Sequence, residues 1–270
     1  MKDSSSPKLW FSFLICCLLV APSVSAQTAA AKKETVRQAR QAYYNLRSEG
    51  LVEFQCSSWP NWEAMIADLR KTNPAAADEG LKTLNQIRFS VSLGPDGAVA
   101  VTHNDVPAGN DEMVKSLNQI YSGMEQTLTG FYQTASIFLL MPPFPEVDSE
   151  YQLEEQETQY RLLYKEGAAD VVITMSKDLA ITSLRIKTAE FDSTIEPRFT
   201  KTAKGFLLTG YVGDYQSKSS AESTHLNVRI DYLEASGLQL PQKVNLTGTY
   251  GGNPVAGEVS FSDYKVKKRQ

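Results

Sequence analysis

The stretch that decides the fold is "THLNVRIDYLE", Thr224–Glu234, with "LQLPQKVNLTGTY", Leu238–Tyr250, close behind it. In the first, Leu226, Val228, Ile230 and Tyr232 share one parity, and Asn227, Arg229 and Asp231 the other. In the second, Leu238, Leu240, Val244 and Leu246 alternate with Gln239, Lys243, Asn245 and Thr247. A period of two with one apolar side is the pattern of a strand with one dry face and one wet face. The short connection between the two makes them antiparallel neighbours.

Working outward, the pattern repeats. "YQLEEQETQYRLLYKEG", "ADVVITMS", "LAITSLRIKT" and "GFLLTGYVGDYQ" precede it, and "GEVSFSDYKV" follows. Gly, Ser, Asp and Lys supply the turns. The region 146–266 therefore reads as a meander of about seven or eight antiparallel strands. A sheet with one dry face must cover it.

The cover is upstream, in the helix-rich region 27–145. "TAAAKKETVRQARQAYYNLRSEG" spaces Val36, Ala39, Tyr43 and Leu46 helically and stops on Gly50. "LVEFQC" is a short strand. "NWEAMIADLRK" places Trp62, Met65, Ile66 and Leu69 on one helical face, and a further helix runs from Pro74 to Ile87. "RFSVSLGPDGAVAVTH" is a hairpin about Gly94–Gly97. From Asn110, Met113, Leu117, Ile120, Met124, Leu128, Phe131 and Phe138 recur near a 3.6 period until Pro142 and Pro143 forbid continuation. Asn110 or Asp111 suits the N-cap, and Gly123 and Gly130 weaken the helix, one of them at a kink. The expected fold class is α+β: a curved antiparallel meander wrapped over amphipathic helices, the helix of 110–141 being the main filler.

The amino terminus, "MKDSSSPKLWFSFLICCLLVAPSVSAQT", has a basic start at Lys2 and Lys8, an apolar run from Leu9 to Val20, and small residues at Val24-Ser25-Ala26. It reads as a secretory signal peptide spanning 1–26, cleaved after Ala26, which leaves one domain over 27–270. Periplasmic or secreted localisation follows. No other apolar run approaches the eighteen residues of a membrane span, so no transmembrane segment is expected in the mature chain. Cys16 and Cys17 leave with the leader, and Cys56 stands alone, best read as a small buried apolar residue.

Catalytic signatures are thin. A net charge of −4 argues against a nucleic-acid partner. With two histidines, His103 and His225, a three-His metal site is excluded, and no metal ligands are assigned. Both are read as non-catalytic. No nucleophile elbow, P-loop or dinucleotide fingerprint occurs. Glu154 to Glu157 alternate in direction along a strand, so their carboxylates do not converge. No catalytic residue and no cofactor is assigned. Asn245-Leu246-Thr247 is a sequon by form only.

The order of elements resembles a known family. An amphipathic first helix, a strand of "GLVEFQC" type and a long meander look like the periplasmic lipoprotein carriers of the LolA/LolB-like fold. "GLQLPQKVNLTGTY" followed by "GEVSFSDYKV" is similar to that family's last strands. The helical stretches 60–87 and 110–141 are larger than the family carries there, and its lid-locking arginine has no counterpart assigned here.

The resemblance implies an unclosed barrel whose apolar cavity takes acyl chains beneath a helical lid. It implies Phe138, Leu140, Met141 and Phe144 at the lid or mouth, and Val228, Ile230, Tyr232, Val244 and Leu246 on the inner wall. The expected function is an exported carrier for a hydrophobic ligand such as a lipid or a lipoprotein's acyl chains. The alternatives are an envelope interaction or structural module with a filled core, partnered by envelope proteins, and a hydrolase with an unrecognised site. "GFYQTASIFLLMPPFP" (Gly130–Pro145) is the place where a plug and a lid differ: a plug buries Phe138, Leu140 and Met141, and a lid leaves a gap beneath them, hinged on Pro142 to Pro145.

Overall fold

The computed structural model describes residues 23–105, 109–141 and 143–269. The apolar run of the expected leader and Pro142 lie outside them. The residues before the expected cleavage point, from Ser23, are the start of the first helix.

Twelve strands form one antiparallel sheet that does not close. The first helix, α1 (Ser23–Gln41), leads into β1 (Leu51–Pro60). Three short helices follow: α2 (Trp62–Met65), α3 (Ala67–Thr72) and α4 (Pro74–Leu84). The hairpin β2 (Phe89–Leu93) and β3 (Val99–His103) comes next, then the long helix α5 (Asp111–Leu139). The meander is β4 (Tyr151–Glu155), β5 (Gln159–Glu166), β6 (Ala169–Ser176), β7 (Ile181–Lys187), β8 (Phe191–Thr202), β9 (Gly205–Ser217), β10 (Ser223–Ala235), β11 (Leu238–Tyr250) and β12 (Asn253–Lys268). The spatial order runs β3-β2-β1-β12 and then down through β11 to β4, so β1 joins the amino-terminal hairpin to the last strand. The two free edges are β3 and β4, and α5 is the connection between them.

The deciding stretch pairs as its alternation requires. Val228 lies opposite Leu246 and Ile230 opposite Val244 on the dry face, while Arg229 faces Asn245 on the wet one. Pro241 sits inside a central strand, where a missing N–H would break the ladder. It is tolerated at the register shift beside Asp231 and Tyr232. Its carbonyl accepts a 2.6 Å hydrogen bond from the Tyr264 hydroxyl.

A second irregularity lies between Arg198 and Phe199 on β8. Opposite it, Gly210 comes so close to β10 that a Cβ would stand 2.3 Å from the Val228 carbonyl oxygen. Arg198 donates across the same place to the Tyr211 and Val228 carbonyls, at 3.3 and 2.9 Å. A bulge beside a glycine of this kind bends a strand pair.

Several sequence expectations need correction. The first helix stops at Gln41 rather than near Gly50, because Tyr43 bridges to Phe206 in β9 and the chain turns there. "NWEAMIADLRK" is two helices broken at Ile66, so Trp62 is buried while Leu69 is exposed. "YQLEEQETQYRLLYKEG" is a hairpin, β4 and β5, rather than one strand. The strand β8, "FDSTIEPRFTKT", was not singled out, since Pro197 and four charged residues blur its alternation. Asn110 is the N-cap of α5, its side chain accepting from the Met113 amide at 2.9 Å.

Candidate binding face

The residues expected to bind a ligand lie on or beside the dry side of the sheet, and α5 covers that side. The helix presents Leu117, Tyr121, Met124, Leu128, Phe131, Tyr132, Ala135, Phe138 and Leu139 inward, a stripe at i, i+3 and i+4 spacing. Its aromatic contacts cross the sheet in order. Tyr121 meets Phe89 of β2, with ring centroids 5.8 Å apart. Tyr132 meets Phe54 of β1 and Phe261 of β12, at 5.9 and 5.6 Å. Phe138 meets Phe199 of β8 at 5.9 Å.

The residues expected at the lid or mouth divide. Phe138, Leu140 and Phe144 are buried, but Met141 is 66% exposed, because the helix has ended and the chain turns outward. Of the expected wall, Val228, Ile230 and Val244 are buried, and Tyr232 and Leu246 are half-buried. All of these except Met141 belong to one continuous apolar cluster.

Sequence reasoning missed the centre of the aromatic cluster beside the carboxyl end of α5, which is Tyr43. Its ring packs on Phe144, Phe199 and Phe206 at 5.6, 5.1 and 5.4 Å. Its hydroxyl donates to the Leu179 carbonyl at 2.6 Å and accepts from the Ile181 amide at 2.7 Å. The helical spacing of Tyr43 was visible, but nothing local marks a tyrosine that stitches three distant elements. Arg40, one turn earlier, donates to the carbonyls of Phe144 and Pro145 at 2.7 and 2.8 Å and fixes the chain leaving α5.

Beneath α5 is a small set of buried polar groups. The Cys56 sulfur lies 4.0 Å from the Tyr132 hydroxyl. Burial is the first cause that pushes the Cys56 thiol up to about 11. Burial likewise holds the Tyr132 and Tyr264 phenols well above their ordinary value. Burial of this kind disfavours the thiolate, which is the nucleophilic form. The Ser58 and Tyr121 hydroxyls are buried with no hydrogen-bond partner among the described residues.

Two concavities stand out, and neither opens between α5 and the sheet. One runs along the solvent side of α5, past Lys115, Gln119 and Gln126. The other is a polar depression of about 270 Å³ on β8–β10. There His225 Nδ1 lies 2.7 Å from Asp214 Oδ1, and Lys218 Nζ lies 3.0 Å from Asp192 Oδ1, as an ion pair without hydrogen-bond geometry. Both partners of the His225–Asp214 pair are more than half exposed, so the pair is solvated rather than preorganised. Among the described residues no group of three His, Cys, Asp or Glu side chains could hold a metal ion. No helix there is long and apolar enough to cross a membrane, which says nothing of strands.

No protein-family model, no curated protein and no solved structure matches this chain.

Proposed function

We propose that the protein is an exported, non-catalytic carrier for a hydrophobic ligand such as a lipid or acyl chain, with α5 occupying the ligand's place when the carrier is empty. One observation carries this reading. A 29-residue amphipathic helix joins the two free edges of an unclosed sheet and covers its apolar face mainly through side-chain packing. Dispersion and apolar burial are non-directional, so an acyl chain can replace the same contacts at a similar free energy per unit area. The likeness of element order to the lipoprotein carriers supports the same conclusion, with the sheet as an unclosed barrel.

A second reading is favoured by the depth of burial. Phe138 is 1% exposed and Leu128 likewise, as in a permanent core. On that reading α5 is a fixed plug and the protein an envelope interaction module.

Cys56 separates the two, because it is 2% exposed and lies under Tyr132. With the thiol held at about 11, about one molecule in a thousand carries the thiolate at pH 8. Labelling by a thiol reagent is therefore slow until α5 lifts. Adding a long-chain lysophospholipid should change the labelling rate at least several-fold, and protein purified without detergent should release lipid into organic solvent. An unchanged rate together with a lipid-free extract would leave the plug reading standing.

A further inference from the structure

His103, the last residue of edge strand β3, touches α5 at two positions one turn apart. Its ring stacks on Tyr121, with centroids 4.0 Å apart and planes 25° from parallel. Its Nε2 lies 3.5 Å from Oε1 of Glu125. Its Nδ1 lies 2.6 Å from the carbonyl oxygen of Asn104.

A carbonyl can only accept, so Nδ1 carries a proton in either charge state. Nε2 is therefore the nitrogen whose proton distinguishes the neutral ring from the imidazolium. In the neutral ring Nε2 turns a lone pair toward a carboxylate. In the imidazolium it turns an N–H toward the same carboxylate, and the charge lies over the Tyr121 ring face. Both nitrogens face acceptors, which only the cation satisfies.

The other groups around the ring do not reverse this. On β2 the neighbour is Phe89, edge-on at 6.2 Å. Arg88, before it, donates to the Ile87 carbonyl at 2.8 Å and lies over the Trp59 ring. Asp105, two residues beyond the end of the strand, adds negative charge near Tyr121.

We infer that His103 is a pH-sensitive latch between the sheet edge and the amino-terminal half of α5, closed when the imidazole is protonated and loosened when it is neutral. The latch governs the same helix that the carrier reading requires to move. It stands or falls without a ligand, so its failure and that of the carrier reading are separable.

Hydrogen–deuterium exchange of the ligand-free full chain tests it, with peptides spanning Asp111 to Leu128. Conditions of about pH 5 and about pH 8 bracket the titration of an imidazole. After correction for intrinsic rates, protection in this segment should be roughly two- to fivefold greater in acid, the scale of a partly exposed ion pair. His103→Gln should remove the difference and Glu125→Gln should shrink it. His225→Gln, the other histidine, should leave it intact. Equal protection at the two pH values, or a difference that survives His103→Gln, would overturn the latch. If His103→Gln does not fold, a full pH difference in Glu125→Gln overturns it instead.

Discussion

Phe138 and Met141 stand three positions apart in one apolar run, and the fold sends them to opposite environments. Phe138 is locked against Phe199 beneath the last turn of α5, while Met141 points away after the helix has stopped. Truncating a buried phenylalanine removes both transfer free energy and packing. Phe138→Ala should therefore cost about 3–5 kcal/mol. Met141→Ala should shift stability by less than about 0.5 kcal/mol. Urea unfolding followed by circular dichroism reads both, and equal effects would contradict the placement of the helix end. The sequence carries the apolar run but not this division, because an apolar residue after a helix end has no period to say where it points. The helical spacing of Tyr43 was legible but its role was not, because its partners, Leu179, Ile181 and Phe206, lie far away in sequence.

At the scale of elements, α5 is unusual in what it does not optimise. Gly123 and Gly130 both lie on its exposed side, and a Cβ at either would meet nothing within 4 Å. Neither breaks the helix, which runs without interruption from Asp111 to Leu139. Each glycine leaves the helix weaker than alanine would, by about 0.5–1 kcal/mol. The double substitution Gly123→Ala, Gly130→Ala should raise stability by about 1–2 kcal/mol in thermal or urea unfolding. If α5 must lift for exchange, the same variant should also slow thiol labelling of Cys56 under native conditions. Gain of stability with unaltered labelling would mean that Cys56 becomes reachable by some other opening. The strands were legible for the opposite reason. In β10 and β12 the buried residues, Val228 and Ile230, then Val259 and Phe261, share one parity in mid-strand, so period two survives in the sequence. On β8 it does not, since Pro197 and the clamp made by Arg198 are answers to neighbours rather than to the strand itself.

For the molecule as a whole, the core is rich in phenols, and that sets its behaviour in alkali. Burial is the first cause raising Tyr43, Tyr132, Tyr211, Tyr232 and Tyr264, with Tyr211 held at about 12. An unfolded tyrosine loses its proton near pH 10. A raised native value means that the folded chain binds the proton more tightly than the unfolded one. The contribution to stability is therefore complete below about pH 10 and is lost as pH rises toward the native value. For Tyr211 alone the loss is about 1.4 kcal/mol per pH unit between about 10 and 12. The other buried phenols add to that slope, as does the Cys56 thiol up to about 11. Unfolding should therefore be steep and cooperative within this window. Absorbance near 295 nm and circular dichroism, followed together, distinguish the cases. For the buried phenols a coincident jump in both signals is expected. Smooth ionisation of every tyrosine near pH 10 with structure retained would mean that the phenols are solvated, and that the helices do not seal the dry face of the sheet.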